Sequence, residues 1–172
     1  MRVTILNQFY PPDVAPTGQV AHDLARCLVS RGHSVTVLCS RRAYDGARSY
    51  ERRQTLDGVG VKRLWSFGFD RARHTGRVLG YVTFLANLAV ALLGEGPKPD
   101  VIICMTTPPY AGLVAKMAAR LRRIKLVHWI MDIYPDVLVA HGMLQAGSLC
   151  HRFLSALARR QFGGSDLLLT IA

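Results

Sequence analysis

The sequence lacks the features that mark several large classes of protein. Its four cysteines are scattered, with neither a Cys-x-x-Cys pair nor a Cys/His ligand spacing, so we expect no zinc site and no disulfide framework. The N-terminus has no apolar signal-peptide core. A Gly-x-Gly-x-x-Gly fingerprint is missing, which argues against a nicotinamide nucleotide. These absences favour a cytoplasmic globular protein.

Acidic residues are also scarce, with 11 Asp and Glu against 22 Lys and Arg, for a net charge of +11. Residues 41–77 contain ten basic and four acidic side chains and so contribute +6 of that excess. A basic stretch of this kind attracts phosphate, whether in nucleic acid, in anionic lipid or in a pyrophosphate-linked substrate. Charge alone does not choose among these partners. A solvated basic face that binds none of them would have the same charge.

Short β-rich runs alternate with helical periods along the whole chain. The pattern predicts strands at 2–7, 34–40, 60–66, 99–105, 125–131 and 166–172, and helices at 17–33, 75–93, 109–123 and 148–162. Residues 41–59 show no clear period and are interpreted as a loop. Strands that alternate with helices indicate an α/β protein, here a Rossmann-like three-layer α/β/α sandwich with a mainly parallel sheet.

Two strand-to-helix loops carry candidate ligand-binding residues, because ligands of open parallel sheets bind outside the carboxyl ends of the strands. The loop at 7–19 has three prolines and ends in Thr17 and Gly18, which open the first predicted helix. Thr17 is a plausible N-cap, and Gly18 would let the backbone approach a phosphate at the helix N-terminus. Thr106 and Thr107 follow the fourth predicted strand and would bind hydroxyls or phosphate. Ordinary turns and caps explain both loops almost as well.

A third loop combines acidic and aromatic residues in the segment His-Trp-Ile-Met-Asp-Ile-Tyr-Pro-Asp at 128–136. Asp132 ends the fifth predicted strand, where a carboxylate can accept a proton or orient a sugar hydroxyl. His128 would share a face with Asp132 if the strand continued that far, and we therefore include it as a candidate catalyst. Tyr134 and Asp136 are candidate ligand contacts. The alternatives are a core histidine and an aspartate that caps a helix.

The predicted helix over 78–94 is uncharged and follows a basic segment, but it is shorter than the ~20 apolar residues of a membrane span. An apolar helix flanked by arginines can lie at the surface of an anionic membrane. Packing against the sheet explains the same pattern. The candidates for contact with the membrane are Arg71, Arg73, Arg77, Tyr81 and Phe84.

Two segments of the chain resemble the retaining glycosyltransferases of family 4, which have the GT-B fold. They read ILNQFYPPDVAPTGQVAHDLARCLVSRGHSVTVLCS and WIMDIYPD. The resemblance is strongest to bacterial fucosyl- and N-acetylfucosaminyl-transferase-like enzymes of surface-polysaccharide assembly. It implies that residues 1–172 form the N-terminal, acceptor-side domain, and that the C-terminal donor-binding domain is absent from this sequence. We expect the domain to be inactive alone.

The same resemblance implies an activity. The intact enzyme would transfer a hexose-type sugar from a nucleotide-sugar to a polyprenyl-diphosphate-linked glycan, at the inner face of the plasma membrane and without a metal or cofactor. Gly18 matches the glycine-loop position near the donor phosphates, and Asp132 matches the acidic position after the fifth strand. The chain departs from many members of the family in having Pro-Thr-Gly where they have Gly-Gly.

Two other functions remain open at this stage. An epimerase of GT-B fold that acts on a UDP-sugar would share this half of the molecule and differ in the other. A non-catalytic module that binds phosphate or nucleic acid would account for the charge. The basic residues lack the interleaved aromatic side chains of a surface that stacks on bases, so no nucleic-acid partner is expected.

Overall fold

The computed structural model describes residues 1–45, 48–67, 74–94 and 97–170, and helices separate most of the strands in these ranges. The strands are β1 (Arg2–Leu6), β2 (Ser34–Ser40), β3 (Arg53–Leu56), β4 (Val59–Leu64), β5 (Val101–Met105), β6 (Lys125–Ile130) and β7 (Leu167–Thr170). The helices are α1 (Pro16–Ser30), α2 (His74–Leu93), α3 (Ala111–Arg122), α4 (Asp136–Ala140) and α5 (Leu149–Phe162).

The seven strands form one sheet in the order β3-β4-β2-β1-β5-β6-β7. All neighbouring pairs are parallel except β3 and β4, which are antiparallel. Parallel strands require crossover connections, and helices on the faces of the sheet provide them. The predicted α/β sandwich with a mainly parallel sheet is therefore confirmed.

Helix α1 covers one face of the sheet through small residues. Gly18, Ala21 and Ala25 are buried at helical spacing and bring the helix axis close to the strands. The odd-numbered side chains of the central strands, such as Val3 and Val37, meet this helix because successive side chains of a strand alternate between faces. The result is a β-branched layer under a small-residue helix.

Helices α2 and α3 cover the opposite face. Phe84, Leu88 and Leu92 of α2 are spaced by four residues and are all buried. They pack with Leu6 and Leu38 from the strands and with a run of alanines on α3. This second layer lies over the carboxyl halves of the central strands.

The prediction of a loop over residues 41–59 is partly wrong, because this range contains strand β3. Asp57 and Gly58 both have positive φ, 50° and 78°, and connect β3 to β4 by a two-residue turn. An Asp-Gly pair is a favoured sequence for such hairpins. The short helix α4 was not predicted either.

None of the helices within the described ranges combines the length and the hydrophobicity that crossing a bilayer requires.

Candidate functional site

The direction in which strands are added to the sheet reverses between β1 and β5. From β1 the chain builds outward on one side through β2 and β4, and it then returns to place β5 on the other side. Open α/β sheets bind ligands in the crevice at such a switch point. The backbone N–H of Gln8 donates to the carbonyl oxygen of Thr107 at 2.8 Å, so the loops after β1 and β5 lie side by side.

Asp132 is held at this edge through Thr106. Thr106 is 6% exposed, and its Oγ1 accepts hydrogen bonds from the backbone N–H groups of Met131 at 3.2 Å and Asp132 at 3.1 Å. The hydroxyl oxygen thus accepts from the neighbouring loop, its O–H is left to donate, and its predicted contact with a ligand stays a prediction. Thr107 beside it is partly exposed. Asp132 is itself partly buried, two residues beyond the end of β6.

Tyr134 lies two residues beyond Asp132, and it interacts electrostatically with Asp132, Tyr81 and Tyr110. Burial raises the pKa of Tyr134, and the nearby charges of Asp132 and Tyr81 raise it further. Burial likewise raises the pKa of Tyr110, with added effects from Cys150 and Tyr134. These electrostatic effects require proximity, so the phenols and the Asp132 carboxylate share one region. Neutral phenols are both donors and acceptors, which suits the recognition of sugar hydroxyls.

Two buried amide oxygens follow β1 directly. Among the described residues, neither Oδ1 of Asn7 nor Oε1 of Gln8 has a hydrogen-bond donor. A buried acceptor without a donor costs about 1–3 kcal/mol, which a hydroxyl-rich ligand would recover. The sequence analysis did not select these residues, although two amides at the carboxyl end of a buried strand were a usable signal.

Asp136 begins α4 and is exposed. Pro135 occupies the N-cap position and makes no side-chain cap, so the carboxylate of Asp136 is the acidic group of the first helical turn. A negative charge there is stabilised by the helix dipole. Its location next to Tyr134 keeps it close to the candidate site, and its predicted contact with a ligand stays a prediction.

His128 lies inside the protein, beneath α3 and α5 and two residues before the carboxyl end of β6. It is 1% exposed, in β6, and its ring meets that of Phe162 edge to face. Ser165 donates its hydroxyl to the carbonyl of Phe162 at 3.0 Å, so Nδ1–H of His128 donates to the Ser165 oxygen at 2.8 Å. A Cβ on Gly112 would overlap Nε2, which places α3 directly over the ring.

The electrostatics of His128 agree with that position. Burial, and next the positive charge of Lys116, lower the pKa of His128 from 6.5 to about 4. The ring is therefore neutral near pH 7, and Nε2 has no partner among the described residues. A closed environment of this kind argues for a packing role under α3 and α5 and against the predicted catalytic one.

The start of α1 differs from the prediction. The helix begins at Pro16 with Ala15 as N-cap, so Thr17 lies in the first turn and does not cap it. The backbone N–H of Gly18 already donates to the carbonyl of Ala15 at 2.9 Å. A Cβ on Gly18 would lie 3.2 Å from backbone atoms of Phe9. The close approach that requires glycine is thus to the chain's own loop, and a phosphate contact remains a prediction.

Two charged residues that the sequence analysis missed, Arg63 and Asp13, stabilise the loop after β1 through hydrogen bonds. Arg63 is 1% exposed, and its Nη2 donates to the carbonyl of Pro11 at 2.7 Å. Its guanidinium also lies 5.2 Å from the ring centroid of Tyr50. Asp13 is buried, and its Oδ2 accepts from the backbone N–H of Tyr44 at 2.6 Å. Nothing in the sequence pattern distinguished these two from the other charges.

A chain of side-chain hydrogen bonds fixes the same loop to α1. The hydroxyl of Tyr10 bonds Nδ1 of His22 at 2.9 Å, and Nε2 of His22 bonds Oδ2 of Asp57 at 3.1 Å. Burial is the largest of the effects that raise the pKa of Tyr10, so the phenol stays protonated. These bonds connect the loop after β1, α1 and the β3–β4 turn.

The residues that were predicted to contact the membrane differ in their exposure in the structure. Phe84 is 1% exposed and belongs to the core, so its prediction is wrong. Tyr81 is partly buried. Arg71 and Arg73, and the side chain of Arg77, lie outside the described residues. Among the described residues of this region, the exposed large apolar side chains are instead Trp65, Phe67, Val78, Leu79, Val82, Val90 and Leu93.

Comparison with known protein families gives one result that bears on this site. The model of the glycosyl transferase 4-like domain matches residues 17–172. A search of curated proteins finds no match. Within the described ranges, no group of three or more His, Cys, Asp or Glu side chains could hold a metal ion.

Proposed function

The chain belongs to the glycosyl transferase 4-like domain family, and on that premise we propose that it is the acceptor-binding domain of a retaining glycosyltransferase. The intact enzyme transfers a hexose-type sugar from a nucleotide-sugar to a glycan on polyprenyl diphosphate, in the assembly of cell-surface polysaccharide. In this proposal the enzyme acts as fucosyl- and N-acetylfucosaminyl-transferase-like enzymes do. A second domain binds most of the donor, and the proposal requires no metal or organic cofactor.

The observation that supports this proposal best is the position of Asp132. Asp132 follows β6, the strand next to the switch point between β1 and β5, and its carboxylate acts electrostatically on Tyr134, as Tyr81 does. A carboxylate among phenols can accept a hydrogen bond from an acceptor hydroxyl and orient its oxygen toward a donor sugar. The unpartnered amide oxygens of Asn7 and Gln8 would accept from further hydroxyls of the same glycan.

The test is binding of a short-chain polyprenyl diphosphate that carries one sugar, measured by calorimetry. Asp132→Asn should weaken binding by roughly tenfold or more, because hydrogen bonds to charged groups contribute about 1.5–3 kcal/mol. Asp23→Asn is the matched control, since Asp23 is exposed on α1. Equal affinity of both variants and the wild type would remove Asp132 from the acceptor site.

We also propose that α2 attaches the domain peripherally to the inner face of the plasma membrane. Val78, Val82 and Val90 of α2 are 61%, 55% and 72% exposed, and Trp65 and Phe67 are exposed just before the helix. Val78 and Val82 are four residues apart and so share one helical stripe. Tyr81 lies on the same helix and close to Tyr134, so the stripe is near the proposed acceptor site. A lipid-linked acceptor would then enter from the bilayer.

Vesicle binding tests the membrane contact. Val78→Ser with Val82→Ser should weaken partition onto anionic vesicles by roughly tenfold or more, because burying a valine contributes about 1.5 kcal/mol. The control is Met117→Ser with Leu121→Ser, an exposed apolar pair at the same spacing on α3. Unchanged partition of the α2 variant, or equal loss in both, would contradict the assignment.

A further inference from the structure

A second concave region lies on the sheet face opposite α1, away from the carboxyl edge. It is a cavity of about 1160 Å³ over the amino halves of β1 and β2 and the β3–β4 hairpin, bordered by the C-terminal half of α2. Four hydroxyl side chains line its floor, from Thr4, Ser34, Thr36 and Thr55. Such a polar floor is unusual, because faces of parallel sheets are normally apolar and covered by helices.

All charged side chains among the described lining residues are basic. They are Arg2, Arg52, Arg53, Lys62 and Arg122. Two of them already have partners, since Arg2 lies 4.0 Å from Asp100 and Nη1 of Arg122 donates to the carbonyl of Leu92 at 2.7 Å. Within the described residues, Arg53 and Lys62 have no acidic partner within 4 Å.

The placement of Arg53 and Lys62 lowers the stability of the fold when no ligand is bound. They are directly paired across the antiparallel β3–β4 ladder and so present two positive charges on one face. Like charges at directly opposed positions destabilise a strand pair. An anion bound between them would convert this repulsion into two charge-assisted contacts.

We propose that this cavity binds a compact, multiply charged phosphoryl group. Its described lining contains no aromatic side chain, so it offers no surface for stacking a nucleotide base. The hydroxyls of Thr36 and Thr55 lie on the same face as the two cations and supply neutral donors for phosphate oxygens. The phosphoryl group belongs either to a soluble polyphosphate or to an anionic lipid headgroup. This site is separate from the proposed acceptor site and does not depend on it.

The experiment compares two charge-matched double variants of the chain. Arg53→Gln with Lys62→Gln removes the two directly opposed cations of the β3–β4 hairpin, whereas Lys125→Gln with Arg159→Gln removes two exposed charges elsewhere. Tripolyphosphate is the probe, with thermal unfolding and calorimetry as readouts. It should raise the Tm of the wild type and of the control. The cavity variant should bind it roughly tenfold or more weakly, with a higher Tm than the wild type in the absence of the probe.

Vesicles of phosphatidylcholine with and without phosphatidic acid identify the source of the phosphoryl group. A selective loss of binding by the cavity variant to the acidic vesicles assigns a lipid headgroup, and a loss confined to tripolyphosphate assigns a soluble ligand. The proposal is overturned if the wild type binds neither probe, or if both double variants lose affinity equally. Neither double variant alters α2 or Asp132, and the binding of tripolyphosphate is measured without a membrane or a glycan, so that outcome is independent of the acceptor and membrane proposals.

Discussion

Protonation of His128 should destabilise the domain as the pH falls below about 6.5. The ring is buried beneath α3, with Nδ1 bonded to Ser165, and its pKa is lowered to about 4. In the unfolded chain the ring titrates near its ordinary pKa of about 6.5. Between these values the unfolded state binds a proton that the folded state does not. The free energy of unfolding therefore decreases as the pH decreases through this window.

The magnitude follows from the size of the shift. A difference of about 2.5 pKa units corresponds to about 3 kcal/mol, at about 1.4 kcal/mol for each unit. The contribution is fully present above the unfolded pKa and is lost progressively down to about pH 4. The free energy of unfolding of a typical domain is roughly 5–15 kcal/mol, so this contribution is a large fraction of it. In acid, the contacts of α3 and α5 with β6 should therefore be the first part of the domain to open.

Urea unfolding at a series of pH values measures this effect. His128→Gln removes the titrating group, so the pH dependence of the free energy of unfolding should flatten between about pH 6.5 and 4, whatever the variant's stability at neutral pH. His141→Gln, at an exposed histidine, is the control and should keep the wild-type slope. An unchanged slope in His128→Gln would refute the assignment of His128 as a neutral core residue.

Three further predictions concern the same structure. Gly112→Ala should lower the Tm although alanine favours helix, because its Cβ would overlap Nε2 of His128, and His128→Ala should relieve much of the loss. Thr106→Val should cost about 1–3 kcal/mol in urea unfolding, since two backbone N–H groups lose their acceptor, whereas Thr106→Ser should cost less. His22→Ala should accelerate amide exchange around Tyr10, and unchanged exchange would count against the hydrogen-bonded chain.

The alternation of strands and longer helices was predictable, because the central strands are short apolar runs rich in β-branched residues and helices such as α1 have a helical period. Strand β3 was not, because its burial pattern is exposed or intermediate throughout and its first three residues are polar. The Asp-Gly pair at 57–58 was the available signal. Its two positive φ angles allow the tight turn, and the ladder to β4 then stabilises a strand that has little hydrophobic pattern of its own.

The location of the candidate site was predictable, but several side-chain roles were not. Helix α2 is apolar around most of its circumference, so periodicity could not tell that Phe84 faces the core and Val82 faces outward. Strand alternation placed His128 on a definite face but could not show that α3 and α5 close over it. The hydroxyl of Thr106 bonds a loop 25 residues away in sequence, a relation that only the folded sheet creates.

Sugar transfer by the enzyme that contains this domain and its donor-binding partner domain tests the central claim most directly. The measurement is the transfer of labelled sugar from a nucleotide-sugar to a polyprenyl-diphosphate-linked glycan, with the anomeric configuration of the product determined by NMR. We predict a product that retains the donor's configuration, and a rate that falls by roughly a hundredfold or more in Asp132→Asn. An inverted product, or a wild-type rate in Asp132→Asn beside an equally active Asp23→Asn control, would contradict the account.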